Sequence, residues 1–541
     1  VEPSGKLELT WANKDLRLLA HGASRYEWCD PDDWRVSEVR LLHPTAEVGK
    51  ASDNLLVQGD ALHALTALTK LPTYSKKYAG KVKLCYIDPP FNTGQAFSNY
   101  DDALEHSVWL TMLRDRLTQI HNLLAHDGSV WLHLDDAEQH RARCILDDVF
   151  GMENFVATVV WERTDSPRMD TGGFSKRHDY IHVYRKSAAA KMRWLPTDKS
   201  NANKVDEHGK AYYLNPLRAR GGQGSTRAAR PTLYFGITAP DGNDVFPKLP
   251  DGGDGAWRWS REKVENDAHL IEWVDGRNGW NPYYRIYEKD DATRPPETLW
   301  TFTEVGSTRN SAAEVKALTG GTAFATPKPE RLLERILFIG SDPGDIVLDC
   351  FAGSGTTAAV AHKMRRRWVT VEQHAETINT FTRPRLEKVV EGTDKGGVTE
   401  ALGWEGGGGF TVALVGPSMF EDIDGFVVLA EWAVAGELAE GVAAQLGYDY
   451  EPDTPFAGRK GRFRLAVIDG VLTADLARYL LHLLPEEERL MAVAQAVEPG
   501  VEELVRQLRS GSRVRKVPRD LARTGSRSSG VVQLRLDEVA S

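Results

Sequence analysis

Two short segments carry residues whose types and spacing can do chemistry. The first is CYIDPPFNTG, residues 85–94. An apolar run ends in Asp88, Pro89, Pro90 and Phe91. Each proline fixes its own φ and pushes the residue before it into extended backbone, so the tip is stiff. Pro89 has no N–H, but its carbonyl accepts; Asp88 is a second acceptor and Phe91 an aromatic face. Two acceptors beside a stacking face suit a planar heterocycle bearing an NH2 group, held by both its N–H bonds. Read alone, the segment is equally a rigid proline turn with an incidental acid.

The second segment is VLDCFAGSGTTAAVA, residues 347–361. A strand should end at Asp349, a turn containing Gly353 and Gly355 should follow, and a helix should begin near Thr356. The glycines let backbone approach a ligand without a Cβ in the way, and the helix start turns free amides toward its polar part. Many nucleotide binders share such a turn. The next apolar run, WVTVEQ, ends in Glu372, placed where an acid accepts from both hydroxyls of a ribose. No Gly-Lys-Ser/Thr follows the turn, which argues against a phosphate-cradling loop.

These segments need a scaffold, and the hydrophobic pattern supplies one. From Asn54 to about Lys186, short β-rich runs alternate with segments of helical period, predicting a mostly parallel sheet with helices on both faces. Residues 187 to about 320 break that rhythm with Gly, Pro, Trp and Tyr, and it resumes at PKPERLLERILFIG. The expected layout is a lead-in over 1–50, a first α/β part over 51–186 and an inserted module over 187–320. A second α/β part over 321–395 follows, then a linker and C-terminal α+β domain over 396–541. The insertion holds Lys191, Arg193, Lys199, Lys204, Lys210, Arg218, Arg220, Arg227 and Arg230 among few acids. Basic and aromatic residues interleave in AWRWSREK and GWNPYYRIYEK. For any single residue there, a solvated charged face is the plainer reading.

With 67 Lys+Arg against 77 Asp+Glu the chain carries a formal charge of −10. That argues against a protein coating nucleic acid non-specifically, but not against a local basic surface. No apolar run reaches the length of a membrane helix and the N-terminal residues are charged, so no membrane partner and a cytoplasmic location are expected. Cys29, Cys85, Cys144 and Cys350 are scattered without metal spacing and are read as reduced thiols, with no metal site. His133, His178 and His182 are given structural roles.

FAGSGTT together with DPPF resembles the amino-group DNA methyltransferases. Because DPPF precedes FAGSG, with a long module between, the order is similar to the β class. TPKPERLLERIL (326–337), GDAL (59–62), residues 129–155 and FSKRHDYIHVYRK (174–186) resemble segments of the modification subunits of type III restriction systems, as do LTWANKD and GWEGGGGF. The resemblance covers roughly residues 8–410. It implies a doubly wound α/β methyltransferase sheet, an inserted target-recognition domain and S-adenosylmethionine as cofactor. Asp88, Pro89, Pro90 and Phe91 would act on the base. Asp349, Phe351, Ala352, Gly353, Ser354, Gly355 and Thr356 would line the cofactor, Glu372 would take its ribose, and Asp60 and Lys328 would add contacts. Asn92 would touch the base or merely shape the turn. Asp in the first motif position implies adenine in duplex DNA, flipped out of the stack. The implied partners are double-stranded DNA and a restriction or phage-defence subunit, with a homodimer left open. An RNA or protein-amide methyltransferase and a non-catalytic DNA-binding subunit are the other classes weighed.

Overall fold

In the computed structural model the short apolar runs become neighbouring strands of one ten-stranded sheet. The structure describes residues 8–522 apart from 22–24, 32, 93–95, 98–99, 102–104, 168–172, 197–201, 221, 277–278, 288–292, 424–425, 434 and 518. The strands are β1 (Leu42–Gly49), β2 (Leu55–Gln58), β3 (Val82–Ile87), β4 (Leu124–Leu134), β5 (Phe155–Glu162), β6 (His178–Arg185), β7 (Leu299–Trp300), β8 (Ile346–Asp349), β9 (Arg367–Glu372) and β10 (Gly409–Val415). They lie side by side as β7-β5-β6-β4-β3-β8-β9-β2-β10-β1. From β4 to β10 every pairing is parallel. Parallel strands are covered on both faces, and the sequences of β3, β8 and β9 are accordingly near-continuous apolar runs.

The covering helices follow the spacing of their apolar residues. They are α1 (Ala61–Lys70), α2 (His106–Leu123), α3 (Gln139–Phe150), α4 (Glu330–Gly340), α5 (Thr356–Lys363) and α6 (Arg383–Glu391). Trp109, Leu113, Leu117 and Ile120 form the buried stripe of α2, and Leu332, Leu333, Ile336 and Leu337 that of α4, as an amphipathic helix on a sheet requires. Among the described residues no helix is long and apolar enough to cross a membrane. All four cysteines are unpaired, with Cys29, Cys85 and Cys350 buried.

Three boundaries differ from those the sequence suggests. Residues 1–50 are more than a lead-in, because β1 pairs with β10 at the sheet edge. The expected linker after 396 likewise contains β10, so the sheet closes only at Val415. The module placed at 187–320 is a compact unit of Trp194–Pro296. Downstream of it, Leu299 and Trp300 pair with Val160 and Trp161 as β7, and the Trp161 indole donates to the Gly306 carbonyl. Lys191 and Arg193 therefore belong to the larger unit, where the Arg193 amide donates to the Ile339 carbonyl.

Within Trp194–Pro296, a four-stranded antiparallel sheet joins Lys204–Val205, Ala211–Pro216, Gly279–Tyr287 and Ile271–Gly276. Its small core holds Leu217, Phe235, Ile237, Trp257, Trp259 and Val264. The tryptophans of AWRWSREK thus build the core. Lys199 lies outside the described residues. Residues Phe420–Ala522 add a mixed five-stranded sheet, Asp449–Asp453, Phe456–Lys460, Phe463–Leu472, Arg489–Val497 and Arg513–Lys516, with two apolar clusters of its own. The C-terminal stretch 513–527 is rich in Arg and Lys and lies partly outside the described residues.

A buried quartet of charges ties together the helices around the glycine turn. Glu330, in the first turn of α4, meets Lys363 of α5 at 2.8 Å and Arg385 of α6 at 2.7 Å, and Lys363 also meets Asp394 at 2.6 Å. Two acids and two bases balance, which is the condition for burying charge. Burial would raise the Glu330 carboxyl, but Arg385 and Lys363 outweigh it and hold it below its ordinary value. Arg385 also donates to the Thr356 hydroxyl at 2.8 Å, joining the quartet to the turn. Glu330→Ala would leave two buried cations facing one acid, a loss of about 3–5 kcal/mol. Its thermal unfolding midpoint should fall far below that of the parent chain, and an unchanged midpoint would show that the quartet stabilises nothing.

Candidate active site

Parallel pairing of β3, β8, β9 and β2 carries their carboxyl ends to one edge of the sheet. Asp349, closing β8, pairs with Thr370 of β9, and Glu372, closing β9, pairs with Gln58 of β2. Asp88 follows β3 and Asp60 follows β2. In open α/β sheets the ligand crevice lies outside these strand ends.

The Asp-Pro-Pro-Phe tip is held from several sides. The Trp109 indole of α2 donates to the Pro90 carbonyl at 2.8 Å. Asn92 has φ +60° and donates to Glu138, a fully buried acid that also takes His106 and Arg141. This contact supports the turn-shaping reading of Asn92. Beneath the tip, the Tyr86 hydroxyl meets His133 Nδ1 at 2.8 Å, and His133 Nε2 meets Asp179 at 3.3 Å. Arg163 pairs with the far oxygen of Asp179 at 3.2 Å. Burial opposes the charge on Asp179, but its His133 bond and the nearby cations hold its carboxyl below the ordinary range. The His133 ring lies 5.8 Å from Phe91, tilted 31°. Asp88 Oδ2 is bonded to Lys328 Nζ, while Asp88 Oδ1 is buried with no hydrogen-bond partner among the described residues.

The glycine turn is shaped from within. Gly353 has φ +48° and Gly355 φ +76°, and a Cβ on Gly355 would lie 3.0 Å from Thr382. The Thr382 hydroxyl, from a π-helical turn Ile378–Thr382, donates to the Gly353 carbonyl at 2.7 Å. Such turns cluster at functional sites. The hydroxyls of Ser354 and Thr356 face each other at 3.1 Å and are buried, and the Ala352 amide donates to Val371. Phe351 stays partly exposed at the rim. Glu372 accepts from the Gly353 amide at 2.9 Å and the His374 amide at 3.0 Å. Burial still raises its carboxyl above the ordinary value. Asp349 accepts from the Phe351 amide at 2.9 Å. Burial, with Asp88 and Glu372 adding, pushes the Asp349 carboxyl up to about 7.

The structure thus brings Asp88, Pro89, Pro90, Phe91, Lys328, Asp349, Phe351, Ala352, Gly353, Ser354, Gly355, Thr356 and Glu372 around the ends of three adjacent strands. Asp60 is differently employed. One of its oxygens caps α1 through the Leu62 and His63 amides, and the other meets Arg116 at 2.7 Å. Sequence reasoning missed Tyr86, Trp109, Glu138, Asp179 and Arg163, and gave His133 no place near Phe91. Only the spacing Tyr86-x-Asp88 on one strand face was there to be read.

A sequence profile described as DNA methylase matches residues 82–383, more than half of the chain. The chain is 31% identical to the EcoPI Mod subunit of a type III restriction-modification enzyme from Escherichia phage P1, over 66% of this chain and 62% of that one. It is 29% identical to the type II methyltransferase M.KpnI of Klebsiella pneumoniae, over 65% of this chain and 84% of that one. With the StyLTI Mod subunit of Salmonella typhimurium, from a type III enzyme, it shares 28% identity over 58% of this chain and 51% of the relative. It therefore spans about half to six-tenths of the two Mod subunits. The matched stretch runs from the strand before Asp-Pro-Pro-Phe to the helix beyond Glu372, so the geometry and the profile agree: this chain belongs to the DNA methylase family.

Proposed function

We propose that the chain methylates the N6 amine of adenine in duplex DNA, using S-adenosylmethionine. The observation that carries this reading is Asp88, whose buried Oδ1 lacks a donor among the described residues, beside the partly exposed Phe91 ring and one strand away from the glycine turn. A flipped base stacked on Phe91 offers its amine N–H to that oxygen, and the Pro89 carbonyl serves the other N–H. Holding both N–H bonds turns the nitrogen lone pair out of conjugation with the ring, and positioning and electrostatics supply the acceleration. The cofactor fits the charge of the site. Asp88 and Glu372 both act on Asp349 as like charges, and S-adenosylmethionine is a net cation. Glu372, Asp349 and the turn from Phe351 to Thr356 would hold it. Bound there, it would supply an electrophilic methyl group on sulfonium sulfur to the held amine, the sulfur keeping the C–S electron pair and the amine giving up one proton.

We assign sequence choice to Trp194–Pro296, where Arg220, Arg227 and Arg230 are exposed and able to meet phosphates or base edges. The two relatives named as Mod subunits belong to restriction-modification enzymes, and the same setting, with a partner subunit, is proposed here.

Asp88→Ala should slow methyl transfer by at least about a hundredfold while cofactor affinity, read by calorimetry, stays within several-fold of the parent. Loss of cofactor binding in a folded variant would contradict the role given to Asp88. A second outcome follows from Asp349, which holds its proton below about pH 7. A cationic ligand favours the ionised carboxylate, so cofactor binding should release a proton below that pH, and affinity should rise as pH climbs through about 7 and then level off. Calorimetry in buffers of different ionisation enthalpy reads this directly. Affinity independent of pH would place the cofactor away from Asp349.

A further inference from the structure

Lys328 precedes α4 and is buried at 8% exposure, yet its ammonium is not in the Glu330 quartet two residues on. It reaches instead to Oδ2 of Asp88, and its Nζ lies 5.1 Å from the centre of the Phe91 ring. A buried ammonium needs an anion, and a buried carboxylate needs its acceptors filled. In this pair the first need is met and the second is half met, because Oδ1 has no donor among the described residues. The two oxygens of a carboxylate are equivalent, so what the lysine restrains is rotation of the carboxylate plane about Cβ–Cγ. With one oxygen tied to Nζ, the other is held in a fixed direction, and the same cation faces the ring on which a base would stack.

We propose that Lys328 is a positioning residue for Asp88: by tying one carboxylate oxygen beside Phe91, it fixes the carboxylate plane so that the other oxygen is aimed to receive the amine N–H. This inference rests on the methyl-transfer reading above, and it differs from the cofactor contact that the sequence resemblance implies for Lys328. A cofactor contact acts on affinity. A residue that orients Asp88 acts on the rate once the cofactor and DNA are bound.

The test uses the full chain, unmodified plasmid DNA and tritium-labelled S-adenosylmethionine, with cofactor affinity measured separately by calorimetry. Lys328→Met should slow single-turnover transfer at saturating cofactor by about a hundredfold, the scale of a misplaced reacting group. Cofactor affinity should be unchanged, and Lys328→Arg, which keeps the cation, should restore part of the rate. Weaker cofactor binding with an unchanged saturated rate would overturn the proposal, as would no change in either. If Lys328→Met does not fold, Lys328→Arg decides: slower transfer at constant affinity supports the role, and any other result removes it. A parent chain that binds cofactor but transfers no methyl group to DNA would instead sink the proposed function, and this inference with it.

Discussion

Asp88, Asp349 and Glu372 stand at the ends of three adjacent strands, where burial disfavours charge on Asp349 and Glu372, and Asp88 and Glu372 further disfavour it on Asp349. Like charges held this way raise the free energy of the ligand-free site unless protons or cations answer them. Here the answers are partial. A proton remains on Asp349 up to about pH 7, one lysine meets Asp88, and backbone amides serve Glu372. The acidic edge has to be kept in shape by the surrounding structure, and the nearby Glu330 quartet, which balances two acids with two bases, does that beneath the turn.

The devices that hold the tip and the turn are of different kinds. The tip is stiff by covalent structure, since two prolines remove backbone freedom, and Trp109 and Glu138 then fix its exit. The turn is flexible by composition and becomes fixed through tertiary bonds, from Thr382 to the Gly353 carbonyl and from Arg385 to Thr356. A hydrogen-bonded chain from Tyr86 through His133 to Asp179, which is ion-paired with Arg163, supports the ring face of the tip from below. Buried polar chains of this sort are stable only when most members find partners, which makes them specific to one arrangement.

The inserted unit shows how composition misleads when core and surface draw on the same residues. AWRWSREK suggests aromatic and basic groups displayed together. In the structure Trp257 and Trp259 are core, while Lys263 packs over Trp259 and Arg261 over Phe235. A small antiparallel domain has few aliphatic residues to bury and uses its tryptophans instead, with cations covering their outer faces.

The sequence by itself determined the chemistry-bearing segments and the parallel sheet that aligns them. Those signals are local: proline and glycine constrain their own backbone, and the period of apolar residues selects strand or helix. Asp88, Phe91, Gly353, Gly355, Asp349 and Glu372 were legible for that reason. Only tertiary structure decided that Lys328 fills one oxygen of Asp88, that Asp60 pairs with Arg116, and that His133 lies beside Phe91. It also decided that strands at 42–49 and 409–415 close the sheet. Each of these depends on a partner far away in the chain, 240 residues in the case of Asp88 and Lys328. Periodicity shows which residues are buried; it does not say which of them meet.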